Sequence, residues 1–175
     1  VLEALAGRAH NLGCAAYLLL CRGLYDESLN LIRSIGEISN LILLSVVDKE
    51  SFRRWLSADS KSRRRDFSPV KVRLLLEKHS TIPMPVDEDW YSELCEKYSH
   101  VTPGTSPNMH SDDRLRRVGG MLQPHGLAEC AGQLAMVLVP LALMVSRYVN
   151  LADTVAEIEA ALALARAGDH GPSND

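Results

Sequence analysis

Apolar residues recur at steps of three and four along most of the chain. Leu2, Leu5, Ala9, Leu12, Ala16 and Leu19 form one such stripe and predict an amphipathic helix over 1–22, which Gly23 breaks. Leu24, Leu31, Ile35, Ile38 and Ile42 repeat the pattern and predict a second helix over 24–47, ending at Asp48. Leu29, Ile32, Leu41, Leu43 and Leu44 add to that stripe. The second helix is therefore apolar nearly all round, as a buried helix is. Phe52, Trp55 and Leu56 mark a short helix over 49–58. The polar, basic stretch 59–67 reads as a connection. Ser68 and Pro69 then supply an N-cap and a first-turn proline for a helix running to about His79. Pro83 and Pro85 cannot continue it, because each lacks a backbone donor. Asp87, Glu88 and Asp89 suit the positive start of a further helix, with Trp90, Leu94, Tyr98 and Val101 as its apolar stripe.

Between 102 and 126 the chain has three prolines, four glycines and little periodicity, which predicts a long irregular loop. A brief extended piece is expected over 114–118. A long helix follows over 127–150, kinked at Pro140, and an Ala-rich helix over 151–167. The tail, 168–175, reads as flexible. No strand of ordinary length and no internal repeat is evident. The expectation is an all-α helical bundle of five to seven helices, in a single domain over 1–167.

Composition narrows the class of protein. The chain has 175 residues, 46% apolar, 5% aromatic, with a net charge of −3. That length can bury a sizeable core, and the balance excludes a disordered chain and a strongly cationic nucleic-acid binder. The most apolar run, 134–145, is shorter than the roughly 18 residues of a membrane span. No basic-then-apolar leader pattern opens the sequence. Cys14, Cys21, Cys95 and Cys130 contain no C-x-x-C pair and read as reduced core residues. These points predict a cytoplasmic location, no membrane partner and no disulfide framework.

Charge is uneven. From Lys49 to Lys78 there are ten basic and four acidic residues, a local +6, against nine basic and eighteen acidic elsewhere, or −9. Arg53, Arg54, Lys61, Arg63, Arg64 and Arg65 form the centre of this segment, and Arg114, Arg116 and Arg117 form a second cluster. Such a patch contacts phosphates of RNA or DNA, or is a solvated loop balancing the acidic remainder. The second reading is favoured because no aromatic residues interleave the basic run as stacking platforms.

Two further constellations carry chemistry. Asp26, Asn30, Arg33, Glu37 and Asn40 recur at steps of four, three, four and three, so they line one face of the second helix. Arg33 and Glu37 can pair at i, i+4. The stripe is either a solvated surface or a buried polar network that needs partners. Lys97, Tyr98, Ser99 and His100 end a later helix, where His100 either caps carbonyls or serves as a general base.

An Arg-x-x-x-Glu helix (Arg33, Glu37), followed much later by Leu-x-x-x-x-Ser-His (Leu94, Ser99, His100), resembles the bacterial HEPN-like all-helical families, several of unknown function. The likeness spans about 23–150. The resemblance implies a helical bundle that dimerises and binds RNA or a partner protein in a stress, defence or toxin–antitoxin setting. It also implies metal-independent ribonuclease activity in catalytic members. Arg33, Glu37 and His100 would then share a polar cleft, with His100 as base, Arg33 stabilising phosphate charge and Glu37 orienting Arg33. The chain departs from the catalytic pattern of Arg, four to six residues, then His. Only Arg73 and His79 have that spacing, and Leu74 stands where a polar neighbour is usual.

His100, His110, Asp112, Asp113 and His125 surround the long loop, but their spacing matches no metal-binding motif. No Walker-type loop, dinucleotide fingerprint or nucleophile elbow is present, so no cofactor or metal is expected. Two other readings stand beside RNA binding. One is a non-catalytic structural or oligomerisation module whose interface is the helix 127–149. The other is a small-molecule sensor with a pocket between helices, closed by the 102–126 loop.

Overall fold

The computed structural model describes residues 1–79, 84–106 and 118–168. The described residues are all helical or irregular, with no strand. Helix α1 is Leu2–Leu20, α2 Tyr25–Val47, α3 Lys49–Ser57, α4 Ser60–Asp66 and α5 Pro69–Glu77. Helix α6 is Glu88–Leu94 and passes into a π-helical turn, Cys95–Ser99; α7 is Pro124–Tyr148 and α8 is Ala152–Gly168.

The bundle is built around α2, which packs against α1, α3, α5, α6, the π turn and α7. Its near-continuous apolar surface explains this position: Leu29, Ile32, Ile35 and Leu44 are all buried. Ala9, Leu12 and Ala16 of α1 and Cys130 and Val137 of α7 close the main core around it. Leu43 and Leu44 join Phe67, Val72 and Leu76 in a second cluster under α5. Buried serines tie the layers together: Ser28 donates to the Ala16 carbonyl at 2.9 Å, and Ser39 to the Val137 carbonyl at 3.1 Å. These bonds satisfy hydroxyls that would otherwise be costly to bury. Gly23 turns the chain from α1 to α2 at φ +69°, and its carbonyl accepts from the Met121 N–H at 3.1 Å. A Cβ at Gly23 would fall 2.3 Å from the Met121 backbone, so this glycine is required both by conformation and by space.

The all-α class is as expected, but eight α-helices are present among the described residues, where five to seven were expected. The extra one is α4, in the basic stretch read as a connection. Its hydrophobic periodicity is nil and none of its residues is buried. Its cause is local: Asp59 accepts from the Ser62 N–H at 2.7 Å as N-cap, and three arginines fill the last turn beside the negative helix end. Asp48 and Asp87 cap α3 and α6 in the same way, accepting from Ser51 at 3.0 Å and Trp90 at 2.9 Å. Val101, expected in the apolar stripe of α6, is 93% exposed, because the π turn ends the helix at Ser99. Helix α7 starts at Pro124, shortening the expected loop at its end, and α8 includes Gly168, expected in the tail. The expected extended piece at 114–118 lies outside the described residues except for Val118, which sits in a bend.

The cysteines divide. Only Cys130 is buried; Cys95 is half-buried and Cys14 and Cys21 are exposed, so the expectation of four core residues holds for one. All four are free thiols. Two helices, α2 and α7, are long and apolar enough to cross a membrane, since α7 extends the 134–145 run on both sides. Helix α2 is enclosed by other helices, whereas α7 leaves Leu127 and Met136 exposed.

Candidate functional site

The polar stripe of α2 faces α6 and the π turn. Asn30 accepts from the Ser99 hydroxyl at 2.8 Å. Asn40, at the other end, exchanges both bonds of a backbone-like pair with Val86. Its amide donates to the Val86 carbonyl at 2.8 Å and its carbonyl accepts from the Val86 N–H at 3.2 Å. The stripe is thus a polar seam between helices rather than a solvated surface.

Arg33 and Glu37 occupy the middle of the seam. One Arg33 Nη donates to Glu37 Oε1 and to the Tyr91 hydroxyl, the latter at 3.0 Å, and lies 3.9 Å from Cys95 Sγ. The Tyr91 hydroxyl donates in turn to the same Glu37 oxygen at 2.9 Å. Arg33 Nε is buried without a hydrogen-bond partner. A second guanidinium approaches from α5. Arg73 is 1% exposed, and its Nε donates to Glu88 at 3.0 Å, with Nη2 on the same carboxylate oxygen. Both guanidinium groups lie over the Tyr91 ring, Arg73 at 4.5 Å and Arg33 at 5.4 Å from its centroid.

These contacts shift the acid–base equilibria. Burial pulls the Arg33 guanidinium down, but the Glu37 carboxylate, Tyr91 and Cys95 together outweigh it, and the net movement is upward. Burial raises the Tyr91 phenol far above its usual value, and its hydrogen bond with Cys95 and the Glu37 charge add to this. The Arg73 hydrogen bond holds the Glu88 carboxyl below the usual carboxylate range. Burial pushes the Cys130 thiol up to about 12, helped by Glu129 and Asp26. That thiol is therefore inert at neutral pH.

Two cavities adjoin along this seam. The larger, about 510 Å³, is lined mostly by polar residues, among them Arg33, Arg73, Tyr91, Cys95, Ser99 and His100, with Glu88 and Glu96. The smaller, about 250 Å³, is mainly apolar and is lined by Leu41, Trp55, Phe67 and Val72 with Glu37 and Asn40. Arg73 and Tyr91 belong to both. The Arg33–Glu37 pair therefore straddles the divide, one partner in each cavity. His100 lines the larger cavity with Arg33, but it is exposed, and its imidazole is hydrogen-bonded to neither Arg33 nor Glu37. Of the three residues read as catalytic, two are paired and the third stands at the cavity mouth.

The basic segment is divided too. Arg53, Arg54, Lys61, Arg64 and Arg65 are exposed and Arg63 is half-buried. Arg63 donates to the Ala58 carbonyl, Arg65 makes a two-pronged pair with Asp66 at 2.7 and 2.8 Å, and Arg54 lies 5.8 Å from the Phe67 ring centroid. Arg53, Lys61 and Arg64 carry no ion pair among the described residues. Arg114, Arg116 and Arg117, and His110, Asp112 and Asp113 of the loop cluster, lie outside the described residues. His125 is exposed and lies 3.6 Å from Glu129. Among the described residues no group of three His, Cys, Asp or Glu side chains is arranged to hold a metal ion.

Tyr91, Arg73 and Glu88 complete the site and were not foreseen in it. A signal existed for part of this: Glu88, Tyr91, Cys95 and Ser99 recur at steps of three, four and four, a polar face matching that of α2. Arg73 had no such signal, since its place depends on how α5 docks. No family model matches the chain, and no curated protein or solved structure matches it either.

Proposed function

We propose that this chain is a HEPN-like helical protein that binds single-stranded RNA, with the basic α3–α4 segment on the backbone and the polar cleft holding a phosphodiester. The observation that carries this reading is the shared lining of one cleft of about 510 Å³ by Arg33 and His100. Arg53, Lys61 and Arg64, exposed and unpaired, supply the backbone contacts. In the cleaving form of this reading, His100 takes the proton of a ribose 2′-hydroxyl as that oxygen attacks the adjacent phosphorus; the bond from phosphorus to the 5′-oxygen breaks, leaving a 2′,3′-cyclic phosphate, and the departing 5′-oxygen takes a proton from water. Arg33 stabilises the added phosphate charge, and Glu37 and Tyr91 fix its orientation. Binding of a fluorescent single-stranded RNA should weaken steeply with salt and be much weaker in Arg53→Glu/Arg64→Glu. Salt-insensitive or absent binding by the parent protein contradicts the reading. For cleavage, His100→Ala should lower the rate by about 100-fold or more with the circular dichroism spectrum retained. A variant as active as the parent removes His100 from the site.

A second reading concerns assembly. Leu127, Ala128, Ala131, Gly132, Ala135 and Met136 all lie exposed on α7. A Cβ built on Gly132 meets nothing within 4 Å. We propose that a second copy covers this face, since an apolar helix face can pair with itself about a two-fold axis. Sedimentation should show a dimer that Ala135→Glu converts to monomer; a monomeric parent protein sinks the proposal.

A further inference from the structure

Trp55 and Phe67 bracket the run of Lys61, Arg63, Arg64 and Arg65 in sequence, and the fold brings both to the smaller cavity, with Leu41 and Val72. The absence of aromatic residues inside the run therefore does not deprive it of stacking platforms. Phe67 is buried and has the Arg54 guanidinium 5.8 Å from its centroid, and Trp55 is stacked on Phe52 at 5.4 Å. The aromatic walls thus belong to the same elements that carry the exposed cations.

The polar end of this cavity is selective in chemistry. Asn40 has both amide groups engaged by Val86, so it has little left to offer a ligand. Glu37 Oε1 accepts from Arg33 and Tyr91, while Oε2 accepts no hydrogen bond among the described residues. The Glu37 side chain is 33% exposed. The cavity therefore offers a mainly apolar chamber of about 250 Å³, with Trp55 and Phe67 and with Glu37 and Arg73 in its lining, adjoining a cleft that contains Arg33 and His100.

We infer that this cavity takes one unstacked nucleobase of the bound RNA, and that Glu37 selects guanine. The inference rests on the RNA reading above. Every base has a face to stack on Trp55 or Phe67. The edges differ. Guanine presents two adjacent donors, N1–H and the 2-amino group, and both can be accepted at Oε2, the Glu37 oxygen not engaged by Arg33 and Tyr91. Uracil presents one N–H flanked by two carbonyl oxygens, and adenine and cytosine place an acceptor nitrogen beside the amino group. A carboxylate is repelled by those acceptors and matched by guanine alone.

The test uses labelled pentanucleotides, UUUUU and UUGUU, in fluorescence anisotropy at fixed salt. The parent protein should bind UUGUU about 10-fold more tightly than UUUUU, the effect of one well-held base. Glu37→Gln should reduce the ratio of the two affinities to about 1. Leu41→Phe, which fills the cavity without touching the seam's hydrogen bonds, should do the same, as should Trp55→Ala, with circular dichroism checking the fold of each. Equal, salt-dependent binding of both pentamers by the parent protein overturns the base pocket and leaves the RNA reading standing. Absence of binding to either pentamer overturns both. A guanine preference that survives in folded Leu41→Phe and Trp55→Ala places the selectivity elsewhere and also overturns the inference.

Discussion

Tyr91 joins three helices through a single phenol. Its hydroxyl binds the Arg33–Glu37 pair of α2, and its ring receives Arg73 of α5. Tyr91→Phe keeps the ring contacts and deletes the hydroxyl's hydrogen bonds, so it should cost about 1–2 kcal/mol in urea unfolding. Gly36 lies on the same face of α2. A Cβ there would stand 2.6 Å from a Val86 methyl and 3.1 Å from Trp90. Gly36→Ala should destabilise by about 1–2 kcal/mol, overpacking outweighing the gain in helix propensity. Glu88 gives the pH dependence. Its folded carboxyl titrates below its unfolded value, so its stabilisation is present above the unfolded value and lost as pH falls through the folded one. Acid unfolding curves of the parent protein and Glu88→Gln should therefore converge below that range and separate above it, the parent being the more stable. At this scale the Arg33–Glu37 pair was legible, because i, i+4 spacing alone permits it. The Tyr91 and Arg73 contacts were not, because 58 residues separate Arg33 from Tyr91.

The seam between α2 and α6 depends on how each element is held at its ends. Asn40 clamps the backbone of Val86, just before α6, and Ser99 fastens the π turn to Asn30. Between these anchors the helix has little choice but to lay Tyr91 and Cys95 over Arg33. Asn40→Ala removes two hydrogen bonds and leaves the N–H and carbonyl of buried Val86 unpaired. It should cost about 2–4 kcal/mol and raise hydrogen exchange at Val86 and through α6, as read by amide exchange. The long helices were legible as periodic apolar stripes. Helix α4 was not, because a seven-residue helix without a buried face leaves only its Asp59 cap as a signal. The premature end at Ser99 was also hidden, since Tyr98, inside the π turn, and Val101, beyond it, continue the apolar spacing.

For the molecule as a whole, a net charge of −3 conceals a segment of +6. Part of that positive charge is used internally: Arg63 and Arg65 are bonded locally, and Arg73 is buried against Glu88. Arg53, Lys61 and Arg64 are exposed and carry no ion pair among the described residues, Arg53 on α3 with Trp55 and the other two on α4, just before Phe67. The charge asymmetry was legible in the sequence; its association with an aromatic cavity required the docking of α3 and α5 on α2. The proposal that these exposed cations bind RNA is tested most directly by the salt dependence of UUGUU binding. Three phosphate contacts correspond to a slope of about −2 in log affinity against log salt. The parent protein should show that slope, and Arg53→Glu/Arg64→Glu a slope of about −0.7 with much weaker binding. A parent slope near zero, or a double variant that binds as the parent does, contradicts it.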